Sequence, residues 1–282
     1  MNFHNKTAEI FIPDSSPIQQ ALSRTTHLAI AAHQDDIELF AAGPVLECFQ
    51  KPDKWFTGVV LTDGRSSPRN GIYKDLSDDD MRSVRFEEQK KAAFIGEYSA
   101  VVLLDYPSSV IKDGSRMDVV DDILALLKAT HPKHVYTHNL ADKHDSHVAS
   151  ALRVIQSLRR LSESEKPEKL YGCAVWRSLD WVLDEEKVII DLSSRKNLQT
   201  ALLKAYDSQI MGGKRYDLAT LGRRRANATF YESHKVDSAS GLAYSMDLTP
   251  LIIDHDQDVI KFIEGFIHRF ANDVAMRIEL FQ

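Results

Sequence analysis

His27-Leu28-Ala29-Ile30-Ala31-Ala32-His33-Gln34-Asp35-Asp36 is an apolar run that ends in an imidazole and two adjacent carboxylates. Mostly small or aliphatic residues without alternation predict a strand buried on both faces, about residues 27–33. The polar residues then fall at the strand's carboxyl end, where ligands bind in open α/β sheets. Neighbouring carboxylates repel when both are ionised, so a site that keeps them calls for a cation. A metal would meet that need, with His33 and Asp36 as ligands and Asp35 left to move a proton. Read alone, the same run also fits an ordinary loop or helix N-cap.

On either side of this run, short apolar runs alternate with amphipathic stretches, which predicts βα units and a mostly parallel sheet. Further strands are expected at 56–61, 100–105 and 134–139, and two more at 171–176 and 188–192. Gly43-Pro44 is read as a turn into a helix carrying Val45, Leu46 and Phe49. Asp78-Asp79-Asp80 suits the positive end of a helix running to Ile95, on which Arg85 and Glu88 are spaced to pair. Further helices are expected at about 119–129, from His144 to Leu161, at 196–208 and 217–231, and at 259–280. The charged stretch Ser162–Glu168 reads as a mobile linker. The expectation is one α/β domain over 1–282, with a core of about 24–165 and a C-terminal elaboration of about 166–282.

With 282 residues, 43% of them hydrophobic, the chain can bury a large core. A net charge of −6 argues against nucleic acid or an anionic membrane as main partner. Two cysteines, Cys48 and Cys173, imply no disulfide framework. No signal-type leader and no run long enough to span a bilayer is seen, so a soluble, cytoplasmic protein is expected.

A second histidine pair supplies the rest of the site. His144 and His147 stand i, i+3 at the start of a predicted helix just after the fourth strand, so both rings can face one side. A catalytic zinc takes three protein ligands, from imidazole and carboxylate, and keeps one position open. His33, Asp36 and His147 make such a set, drawn from two strand ends on one sheet edge. His138, which ends the fourth strand, is the rival ligand or a supporting donor. Asp63, Asn139 and Asp142 lie on loops at that edge and are candidate binders of substrate hydroxyls. Lys214-Arg215 and Arg223-Arg224-Arg225 read as a solvated helix face or subunit contact, or else as a closure over an anionic substrate. Trp55, Trp176 and Trp181 are assigned to core or interface.

Four motifs in register resemble one family. Ala32-His33-Gln34-Asp35-Asp36-Ile37-Glu38 with Gly43 is similar to the AHPDDxE signature of the PIG-L/LmbE-like zinc-dependent N-deacetylases. Thr62-Asp63-Gly64 resembles their T-D-G turn, and Arg85-Phe86-Glu87-Glu88 with Ala92-Ala93 and Ile95-Gly96 their R-x-x-E helix. His144-Asp145-Ser146-His147 stands where they carry H-x-x-H. The likeness covers about residues 27–160. It implies a Rossmann-like three-layer α/β/α fold and one divalent metal per chain, zinc or another. Carried over residue by residue, the ligands are His33, Asp36 and His147, the base is Asp35, His144 assists the tetrahedral intermediate and Arg85 touches substrate. The resemblance further implies N-acetylated amino sugars or their conjugates as substrates, and a trimer or hexamer. Gln34 stands in place of the usual proline, and Asp145-Ser146 in place of Pro-Asp.

The expected reaction is hydrolysis of an acetamide, a linear amide outside peptide bonds. Zinc lowers the pKa of water towards roughly 7 and polarises the carbonyl; Asp35 takes the proton. His144, if protonated, would steady the oxyanion. The same site acting on another amide or an ester is the alternative, or a sugar-binding or regulatory protein without turnover. No G-x-G-x-x-G follows the first strand, which disfavours a dinucleotide.

Overall fold

In the computed structural model, which describes residues 1–282, strand order and helix placement follow from which apolar runs find cover on two faces. The chain opens with β1 (Glu9–Phe11), α1 (Ile18–Ser23), β2 (His27–Ala31), α2 (Asp36–Phe40) and α3 (Ala42–Cys48). Next come β3 (Phe56–Thr62), α4 (Asp78–Ile95), β4 (Ala100–Tyr106), α5 (Ser108–Lys112), α6 (Asp118–Thr130), β5 (His134–His138) and α7 (Asp145–Arg159). β6 (Lys169–Cys173), β7 (Lys187–Asp191), α8 (Lys196–Leu203), α9 (Asp207–Met211) and α10 (Tyr216–Phe230) follow. β8 (Leu242–Asp247), α11 (Pro250–Ile253) and α12 (Val259–Glu279) close the chain.

One eight-stranded sheet runs β1-β4-β3-β2-β5-β6-β8-β7. β4, β3, β2, β5 and β6 are parallel, while β1 pairs against β4, and β8 against both β6 and β7. Alternation along β2 explains the three layers. Leu28 and Ile30 face one core with Ile123 and Leu127 of α6 and Val154 and Leu158 of α7. Ala29 and Ala31 face the other, with Ile37 and Phe40 of α2, Val45 of α3, Phe86 of α4 and Leu202 of α8. Both faces are dry, so the run reads as continuously apolar rather than alternating.

β2 is the point at which the strand order reverses. From β2 the chain moves outward through β3 and β4, then returns through α6 to lay β5 on β2's other side. Such a switch opens a crevice beyond the strands' carboxyl ends. The loops leaving β2 and β5 therefore face each other across it.

Some expectations are corrected. Gly43-Pro44 is not a turn into the helix; it lies within the first turn of α3, where proline's missing N–H costs nothing. A Cβ on Gly43 would sit 2.2 Å from Ile190 Cγ2, so that glycine serves packing against β7. Ser162–Glu168 is not a free linker. Ser162 and Glu165 cap each other around a 3-10 turn, Glu163–Glu165, that feeds β6 into the sheet. β1 and β8 arise from segments not expected to be strands, and residues 196–208 divide into α8 and the start of α9. No helix is long and apolar enough to cross a membrane.

Candidate metal centre

β2 ends at Ala31, and the chain turns through His33 into α2. Asp35 occupies that turn at φ 88°, ψ −33°, a backbone region unusual for a residue with a Cβ and costly unless neighbours hold it. Arg85 from α4 does so: its Nη2 lies 3.1 Å from Asp35 Oδ2 and also donates to the Gln34 carbonyl. The Asp35 N–H points to Gln89 Oε1 at 3.3 Å. Gln34 replaces a proline's preset φ with a hydrogen bond, its Nε2 donating to the Thr62 carbonyl at 2.9 Å. This ties the loop to the end of β3. Gly64, at φ 70°, completes the fit, since a Cβ there would meet Gln34 Oε1 at 2.5 Å.

The turn sends the two carboxylates to different partners. Asp36 Oδ2 lies 3.1 Å from His33 Nδ1 and 3.3 Å from His147 Nε2. The donor atoms of His33, Asp36 and His147 all fall within 4.8 Å of one another. Fully buried His147 has no hydrogen-bond partner on either ring nitrogen. Asp142 Oδ2 stands 3.5 Å behind its Nδ1, the usual place for the carboxylate that orients a ligating imidazole. Two imidazoles and one carboxylate, one imidazole with an orphaned inward nitrogen, fit a divalent metal of the zinc type. His138 does not join them on equal terms. Its Nε2 accepts the Ala32 N–H at 2.9 Å, which uses the lone pair a metal would need.

The electrostatics favour positive charge at this corner. Burial opposes ionisation of Asp36, yet His147 and His138 hold its pKa well below the usual range. Burial likewise opposes an imidazolium at His147, but Asp36 and Asp142 outweigh it and carry its pKa up to about 9. Asp35 differs: burial, countered by Arg85 and reinforced by Asp36, pushes its pKa up to about 6. The pKa of His144 is lowered, first by burial and then by His147 and His33.

A cleft of about 250 Å³ opens above these groups, lined by His33, Asp35, Asp36, Asp63, Arg85 and His144 among others. Asn139 and Asp142 lie elsewhere. Asn139 is fully buried, its Nδ2 donating to the Cys173 carbonyl at 2.9 Å. Asp142 accepts from the N–H groups of His144 and Trp176, both at 3.1 Å, so its carboxylate serves the protein and not the cleft. Arg85 reaches the cleft floor but is 1% exposed and committed to Asp35, Glu88 and Gln34. Asp145 is exposed, while Ser146 beside it lines the cleft.

Trp176 is half-buried and packs against the core on one side, but it also reaches the cleft. It lines the cleft with Tyr216, and Lys143 and Lys214 reach over its ring at 5.8 and 5.1 Å. The Gly212-Gly213-Lys214-Arg215-Tyr216 segment, with its aromatic and lysine, was the available signal. Arg224, assigned to a solvated face or subunit contact, is buried instead and donates to the Glu38 and Leu39 carbonyls and to Gln199.

The model of the PIG-L family, described as GlcNAc-PI de-N-acetylase, matches residues 28–158, the stretch that holds every one of these candidate ligands. Over that stretch, a little under half of the chain, the protein is similar to the PIG-L family. No curated protein matches it in sequence. Among solved structures, the PIG-L/LmbE-like fold is shared with N,N'-diacetylchitobiose deacetylase from Pyrococcus horikoshii, bound to an inhibitor. The identity is 16%, over 78% of this chain and 83% of that one, with a TM-score of 0.58. The zinc-inhibited form of teicoplanin deacetylase is 13% identical over 79% and 97% of the two chains, with a TM-score of 0.53. GalB, a 4-carboxy-2-hydroxymuconate hydratase from Pseudomonas putida, is 17% identical over 79% and 96%, with a TM-score of 0.59. At such identities the likeness establishes the fold. A hydratase among these neighbours means that the fold alone does not select the reaction.

Proposed function

We propose that this protein is a metal-dependent hydrolase that removes an N-acetyl group from an amino-sugar-containing small molecule, with zinc as the metal. The observation that carries this reading is the split between two adjacent aspartates. Asp36 turns to His33 and His147, while Asp35 lines the cleft with Arg85 behind it. A divalent metal held by His33, Asp36 and His147 would acidify a water and polarise the amide carbonyl.

The chain's own groups do the rest. Asp35 takes a proton from the attacking water as its oxygen adds to the carbonyl carbon, and Arg85 keeps that carboxylate aimed. His144, its pKa lowered, donates a neutral N–H hydrogen bond to the oxygen that gains charge, help worth on the order of 3 kcal/mol for one good donor. Asp35 then returns the proton to nitrogen as the C–N bond breaks, leaving acetate and a free amine. Asp63, with Ser66 and Ser67 on the same cleft wall, offers hydrogen bonds to sugar hydroxyls.

The test is divalent metal content together with acetate release from a panel of N-acetylated sugars. Stoichiometric metal with acetate release is expected; a chain that holds no metal loses the mechanism. Metal without amide hydrolysis loses the substrate claim.

Self-association belongs to the same reading. α12 leaves Ile260, Ile267, Phe270 and Ile278 exposed at helical spacing, an apolar stripe that a second copy would cover. Light scattering over a concentration series checks it, and a monomer throughout removes it.

A further inference from the structure

A second cavity, of about 170 Å³, adjoins the cleft and takes no part in the reaction described above. Four pieces of chain build it: Leu39 of α2, Ala174–Trp176 after β6, one face of α10, and Leu242–Tyr244 of β8. Tyr216, Ala219, Thr220, Arg223 and Asn227 recur at helical spacing on that face. Ala174, Ala219 and Ala243 are small where larger side chains would fill the space.

Three of the cavity's polar members, Arg223, Asn227 and Tyr244, are already engaged with protein. Arg223 donates to the Val175 carbonyl, and Asn227 Nδ2 to the Leu242 carbonyl at 3.1 Å. The Tyr244 hydroxyl donates to the Asn227 carbonyl at 3.0 Å. Nine of its 13 lining residues are hydrophobic, against three of 18 in the polar cleft next door. Leu39, Trp176 and Tyr216 line both spaces. Folded interiors are close-packed, so an apolar hollow against a reactive cleft calls for an occupant.

We propose that this cavity is a subsite for an apolar chain carried by the substrate, reached past Leu39, Trp176 and Tyr216. The proposal rests on the deacylase reading of the neighbouring site. An apolar chain can come from two parts of such a substrate: the N-acyl group or the aglycone.

Two substrate series separate these sources: glucosaminides with N-acyl chains from acetyl to octanoyl, and N-acetylglucosaminides with alkyl aglycones from methyl to octyl. In one series KM falls by roughly threefold to fourfold per added methylene until the cavity is full. Ala219→Phe on α10 and Ala243→Leu on β8 each fill the cavity from a different side. Each should flatten that gradient, read as the ratio of long-chain to short-chain kcat/KM. Thermal melts confirm that both variants fold. Tryptophan fluorescence follows binding of octyl against methyl N-acetylglucosaminide, and of N-octanoyl against N-acetyl methyl glucosaminide, below micellar concentrations. This readout needs no turnover.

Tighter octyl or octanoyl binding that the variants abolish upholds the subsite even if no amide is cleaved, in which case the reaction fails alone. Amide cleavage without a chain-length gradient in either series overturns the subsite and leaves the reaction standing. A gradient that survives both variants also overturns it, as does the absence of both binding preference and turnover.

Discussion

Asp35 and Asp36 are adjacent in sequence, and a single positive φ separates their chemistry. That geometry makes different demands on the two side chains. Asp35→Asn keeps the shape and removes the proposed base, so turnover should fall by about 10²- to 10⁴-fold while metal content holds. Loss of metal in that variant would place Asp35 among the ligands instead. Asp142 makes the opposite case. It stands 3.5 Å behind His147 Nδ1 and faces no cleft, so Asp142→Ala should weaken metal affinity by roughly 10- to 100-fold. Competition with a chelator reads this directly, and an unchanged metal affinity with a raised KM would restore the substrate-contact role. Histidine and aspartate types at strand ends made the candidate ligands legible in the sequence. Asp142 was legible only as polar and near, because its direction depends on where α7 places His147.

Among the elements, β2 and α4 show how local sequence carries stability. His27 begins β2 at 3% exposure, against Cys48, Glu47 and His134. Burial lowers its pKa from 6.5 to about 4, the neighbouring Glu47 resisting. Between those values the unfolded chain holds a proton that the folded chain does not, so stability falls as pH drops through the window. The loss at its lower end is up to about 3 kcal/mol. Urea midpoints at pH 7, 5.5 and 4.5 should show it, and His27→Gln should shallow the slope; an equal slope in the variant removes His27 as the cause. α4 begins with a reciprocal cap, Ser77 and Asp80 each accepting from the other's backbone N–H. Ser77→Ala should cost about 1 kcal/mol, read from the same urea curves, with catalysis untouched. The aspartate run at 78–80 made this helix start visible in advance. β8 was invisible because Leu242–Asp247 is a short segment of mixed polarity that becomes a strand only between β6 and β7.

At the scale of the molecule, the C-terminal part grips the loop that carries the site. Glu38, in α2, accepts from Tyr98 at 2.7 Å, Gln89 at 3.1 Å and Tyr206 at 2.5 Å, and Arg224 of α10 donates to its carbonyl at 2.9 Å. These contacts join segments as far apart as 186 residues. Glu38→Ala strands three buried donors and should cost about 3 kcal/mol or more, seen as a fall of several degrees in Tm and a loosened metal site. Unchanged stability would mean that the donors find other partners.

Local sequence was enough for the α/β fold, the strand ends that meet at the crevice, and a compatible His-Asp-His set. Each of these follows from local period and residue type. Packing between distant segments turns Asp142 and Asn139 inward, sets Trp176 and Tyr216 between a polar cleft and an apolar cavity, and buries Arg224. Those outcomes depend on which faces of α7, α10 and β6 meet, and contacts between segments remote in the chain leave no local period to read.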